Sequence, residues 1–112
     1  MSLSITTSNL SESAFFSADK ERKALPAIKR KSNGNKAKVV EGSNVIGLES
    51  YYHPILALVK QKELLVDSKY FDFSDTTHRH ELDFVRYLQK LDYLKPDVDE
   101  FGFLRQVKAA IA

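Results

Sequence analysis

Apolar positions thicken from the amino end of this chain towards its carboxyl end, and their spacing predicts where it folds. In "SDTTHRHELDFVRYLQKLDYL" Leu82, Val85, Leu88, Leu91 and Leu94 recur at every third position, while Asp83, Arg86 and Lys90 fall on the other side. That pattern predicts an amphipathic helix over 76–94, capped by Ser74, Asp75 or Thr77, with Asp83 and Arg86 paired at i, i+3. Pro96 ends it, and Asp97 with Glu100 then forms a capping box, to which Asp99 adds negative charge. The stripe Val98, Phe101, Leu104, Val107 and Ile111 predicts a last helix over 97–111, interrupted by Gly102 at a cost of about 1 kcal/mol relative to Ala. Upstream, Pro54 suits a first helical turn, and Ile55, Leu58, Val59, Leu65 and Val66 follow at three- and four-residue steps, predicting a helix over 54–66. "KYFDF", residues 69–73, alternates briefly and reads as a short strand or an extended connector.

Together these elements predict a mainly α fold, a small helical domain of about three helices within residues 48–112. A core of that size lies near the lower limit for independent stability, so burial of leftover apolar surface by a homodimer through the C-terminal helices is expected. Residues 1–47 read as a polar, then basic, N-terminal arm that a partner orders. Ser11 or Ser13 suits the cap of a short helix over 12–24 presenting Phe15 and Phe16 on one side. The favoured reading docks that pair on the chain's own helices, and the alternative makes it a partner-binding anchor. Asn33 and Gly34 are the strongest turn signal, and between "AIKRK" and "KAKVV" they allow a basic β-hairpin, although flanks of Lys and small residues suit a loop equally. Gly42 and Gly47 mark the junction into the folded part.

Composition narrows the class. At 112 residues and 43% apolar the chain has room for one modest core, and ten of its twelve aromatics lie from Tyr51 onward. With no cysteine there is no disulfide framework, thiolate zinc site or thiol nucleophile. The first 19 residues hold no Lys or Arg, and no stretch approaches the roughly 18 apolar residues of a membrane span, so the expectation is a soluble, cytoplasmic protein.

Charge changes the picture further, because a net charge of +2 conceals an asymmetry. Residues 19–38 hold eight cations, Lys20, Arg22, Lys23, Lys29, Arg30, Lys31, Lys36 and Lys38, against Asp19 and Glu21, a net +6. From residue 39 onward nine basic residues face twelve acidic ones. Cations without aromatics grip phosphates and read no bases. The expected function is therefore that of a non-enzymatic, nucleic-acid-associated accessory or regulatory protein. Five duplex phosphate contacts would give a log-log salt slope of about −4 to −5. The alternative is a protein-binding inhibitor or adaptor module of a larger assembly, with the arm, Phe15 and Phe16 on an acidic partner surface. Arg79, Arg86 and Lys90 are placed to face a groove as a recognition helix does, in a spacing that an ordinary solvated face shares.

Catalytic chemistry finds little support. "HRHELD" is the only cluster that invites a metal: His78 and His80 point to opposite sides of a helix, His78 and Glu81 form an i, i+3 pair, and His53 is the available third ligand. The H-E-x-x-H spacing is missing, so these groups are expected to be polar and exposed near a helix start. There is no G-x-S-x-G elbow, P-loop or dinucleotide fingerprint. The expectation is no enzyme, no cofactor and no metal.

Overall fold

The computed structural model describes residues 4–12, 16, 21–26 and 36–111. They form a six-stranded mixed sheet and two helices, in the order β1 (Ser4–Ser8), a 3₁₀ turn (Leu10–Glu12), β2 (Arg22–Ala24), β3 (Ala37–Glu41), β4 (Val45–Ser50), β5 (His53–Val59), β6 (Glu63–Asp67), α1 (Asp75–Lys90) and α2 (Glu100–Ile111). The strand order across the sheet is β1-β6-β5-β4-β3-β2, with β1 parallel to β6 and every other pair antiparallel.

This overturns the mainly α, three-helix reading. The expected helix over 54–66 is the β5–β6 hairpin, and residues 22–24 of the expected helix over 12–24 are β2. Leu56, Ala57 and Leu58 in β5 are all buried, because the sheet is covered on both faces, and a strand wet on neither side carries no alternation to read. Lys60 and Gln61 make the turn at φ 55° and 59°, Tyr51 and Tyr52 make the preceding one at φ 52° and 70°, and none of these four is a usual turn residue. "KYFDF" is a turn-rich connector rather than a strand. β4 spans residues 47 and 48, the expected junction, and lies in one sheet with strands from both sides of it.

The two later helices form as their stripes predict. Ser74 caps α1 by accepting from the Thr77 amide, and Asp99 opens α2 by accepting from the Gly102 amide, so Asp99 rather than Asp97 holds the second helix start. One sheet face carries Val39, Leu48, Leu56, Leu58, Leu64 and Val66, and Phe84, Tyr87 and Leu88 of α1 with Val107 of α2 close over it. Part of the apolar surface of the C-terminal helices is buried within the chain, where Leu104 packs with Leu82 and Val85 and Val107 joins the main core, while Phe101 stays 48% exposed and Leu91 36%. Between the helices Arg86 binds Asp83 as expected and also Glu100.

The opposite face is sealed from the amino end. β1 and β2 stand at opposite edges, and Leu10 and Phe16, which lie between them in sequence, cover Val40 and Ala57 on this face. The Leu10 amide donates to buried Asp67 at 3.0 Å. Gly47 lies under the Phe16 ring, where an added Cβ would stand 2.5 Å from Phe16 Cζ. Gly47→Val is expected to destabilise the protein by about 1–3 kcal/mol through displacement of that ring, read as a lower urea midpoint. An unchanged midpoint would mean that Phe16 does not seal this face.

Candidate nucleic-acid interface

The basic segment divides in the structure. Arg22 is a structural cation: its Nε donates to Glu49 Oε1 at 2.6 Å, and its Nη2 donates to Glu49 Oε2 at 3.1 Å and to the Phe16 carbonyl at 2.8 Å. Lys23 is half-exposed and lies 3.1 Å from Glu41, whose carboxylate also accepts from Tyr87 Oη at 2.9 Å. The hydrogen bond to Glu41 pushes the Lys23 pKa above its usual value, and burial pushes up that of the Tyr87 phenol. Lys20, Lys29, Arg30, Lys31, Phe15, Asn33 and Gly34 lie outside the described residues. Phe16 is buried against the chain's own sheet, rather than on its helices.

Lys36 and Lys38 have different surroundings. β3 and β4 are antiparallel, and the register that sets Ala37 opposite Ser50 brings both lysines beside the β4–β5 turn. Lys36 Nζ stands 5.9 Å from the Tyr51 ring centroid and Lys38 Nζ stands 5.9 Å from that of Tyr52. Tyr52 is 78% exposed and Tyr51 40%. Next to them the connector from β6 to α1 contributes Tyr70, which stacks on His53 at 3.9 Å with Lys69 Nζ over its ring at 5.3 Å. Phe73, 66% exposed, tilts against Tyr70 at 5.5 Å. Tyr51, His53, Tyr70 and Phe73 border one shallow cavity of about 320 Å³. All three lysine–tyrosine contacts among the described residues therefore gather at one end of the sheet. Pro26 and Lys36, which flank residues 27–35, are held at that end too, where the Leu25 amide donates to the Ala37 carbonyl and the Tyr51 amide to that of Lys36.

Reading the arm by itself missed this assembly, because every aromatic in it comes from beyond residue 50. The expected recognition helix fares differently: Arg86 is largely buried between Asp83 and Glu100, which leaves it unavailable to a groove. Ser50 Oγ and His80 Nδ1 approach to 2.7 Å, a serine–histidine contact that the sequence does not announce. Both residues are buried, at 2% and 1% exposure, and Ser50 also borders the cavity shared by Tyr51, His53, Tyr70 and Phe73. His80 and Glu81 are buried rather than exposed, a correction that follows from α1 being covered by the sheet on one side and α2 on another.

No protein-family model, curated protein or solved structure matches the chain. No helix among the described residues is long and apolar enough to cross a membrane.

Proposed function

We propose that this is a non-enzymatic, nucleic-acid-associated protein that takes a single strand at the turn end of its sheet. The observation that carries the reading is the alternation of exposed rings and cations there: Tyr51, Tyr52 and Phe73 offer π-faces, and Lys36, Lys38 and Lys69 stand beside them. Unstacked bases lie on rings while ammonium groups meet the phosphates, a combination that a duplex, with its bases already stacked, uses poorly. Lys29, Arg30 and Lys31 belong to the segment 27–35, whose flanks Pro26 and Lys36 are held at this end. The alternative, an adaptor for an acidic protein surface, is weakened because Phe16, one of its two proposed anchors, is buried.

Fluorescence anisotropy with labelled single-stranded and duplex oligonucleotides over a salt series tests the proposal. The expected result is micromolar binding that prefers the single strand, with a log-log salt slope of about −3 to −4 for five phosphate contacts. Tyr52→Ala and Phe73→Ala should each weaken it by about 5- to 100-fold, the worth of one stacked base, with little change in stability at such exposed sites. Absence of binding at low salt would sink the reading, and binding indifferent to both ring deletions would reduce it to charge alone.

A further inference from the structure

On the same connector that carries Tyr70 and Phe73, Asp72 meets the start of α1, and three groups of a different chemistry come together. Asp72 has a positive φ of 57°, which turns its side chain back towards the helix, and His78 and Glu81 are one helical turn apart on the facing side. One ligand atom from each of the three lies within 4.8 Å of the others. His78 Nδ1 is 2.9 Å from Asp72 Oδ1 and 3.7 Å from Glu81 Oε1. A tetrahedral zinc ion with bonds of about 2.0–2.1 Å sets its ligand atoms about 3.3 Å apart, and the two separations from His78 fall on either side of that value.

A second observation points the same way. Glu81 is 0% exposed, and while its Oε2 accepts from the Asp72 amide at 2.6 Å, its Oε1 has no hydrogen-bond partner among the described residues. A buried carboxylate oxygen without a donor carries an unmet cost. This oxygen is the Glu81 atom that faces His78 Nδ1, so a cation seated between them, and against Asp72 Oδ1, would satisfy it.

We propose that Asp72, His78 and Glu81 bind a divalent cation of the zinc class through Asp72 Oδ1, His78 Nδ1 and Glu81 Oε1. Three protein ligands leave a fourth position for water or a further ligand. Asp72 and His78 also line a cavity of about 460 Å³ whose remaining walls are Phe71, Phe101, Leu104, Arg105 and Lys108, which gives that position a route to solvent. His53, the third ligand that the sequence made available, is instead stacked on Tyr70, and Asp72 takes that place. Lys108 Nζ, on a side chain 69% exposed, donates to Asp72 Oδ2 at 3.0 Å. Its ammonium competes with the cation for the Asp72 carboxylate, and it is long and exposed enough to withdraw into water.

The test is equilibrium dialysis of the full chain against zinc with metal quantified in both chambers, supported by cobalt substitution read in visible absorption. One ion per chain with a Kd of micromolar or tighter is expected, together with a rise in Tm on adding zinc. His78→Gln and Glu81→Gln, verified as folded by circular dichroism, should each weaken binding at least about tenfold. Lys108→Gln should tighten it several-fold, a response that a merely structural hydrogen-bond cluster would not give. The proposal is overturned by wild-type protein that leaves zinc unbound at 100 µM, by variants that bind as the wild type does, or by a Lys108→Gln protein with unaltered affinity.

Discussion

Arg22→Met is expected to cost the fold about 3 kcal/mol, although Arg22 reads from the sequence as one more cation of a basic arm. Glu49 is only 6% exposed, and the guanidinium meets both of its carboxylate oxygens as well as the Phe16 carbonyl. Removing one partner leaves the carboxylate in a low-dielectric setting without its counter-charge, and breaking a buried pair costs more than forming it gains. Urea denaturation should show the loss directly. The double variant Arg22→Met with Glu49→Leu should recover much of it, since replacing both charges by apolar groups avoids stranding either. Equal stability of Arg22→Met and the wild type would show that the pair does not support the sheet edge. Oligonucleotide binding, corrected for the unfolded fraction, should be unchanged, which separates Arg22 from Lys36 and Lys38.

The second large effect is on pH dependence. Burial, more than the nearby Asp72 charge, pushes the Glu81 carboxyl up to about 8, while the Asp72 amide and the Lys108 ammonium pull the other way. In the unfolded chain the same group titrates near 4.5. Between those values the folded state holds a proton that the unfolded state has released, so stability falls as pH rises from about 4.5 to about 8 and levels off beyond. At about 1.4 kcal/mol per pKa unit the total reaches several kcal/mol. Denaturant titrations in chelator should therefore give a higher midpoint at pH 5 than at pH 8. Glu81→Gln keeps the acceptor for the Asp72 amide and removes the titration, so its midpoint should change far less over the same range. A wild-type midpoint that is flat or rises between these pH values would contradict the burial of an uncompensated acid.

Both effects arise where the sequence was hardest to read. The stripe Leu82, Val85 and Leu88 was legible because α1 is long and its amphipathic period persists for four turns. Its polar positions misled for a related reason: Asp83, taken for the solvated side, is 2% exposed because α2 and the Arg86 pairings cover it. Strands β5 and β6 were illegible because Ile55 to Leu58 form a continuous buried run, on which three- and four-residue steps are found by chance. The turns that would have broken that run are built from Tyr51, Tyr52, Lys60 and Gln61, whose positive φ angles are imposed by strand pairing rather than by residue type. At the candidate interface Lys36 and Lys38 were visible as charge, whereas their rings enter only through the β3–β4 register. The pairing of His78 with Glu81 was visible as a helical spacing, but Asp72 is brought to it by a turn in the connector that no local signal marks.

The parallel pairing of β1 with β6 has a consequence for synthesis. The register sets Ser4 opposite Glu63, and among the described residues no other strand borders β1. β1 therefore leaves the ribosome well before the edge it needs exists, whereas β3, β4, β5 and β6 each find a hairpin neighbour within a few residues. The nascent chain is expected to assemble its antiparallel ribbon first and to capture its own beginning last, drawing Leu10 and Phe16 across the exposed face as a closing strap.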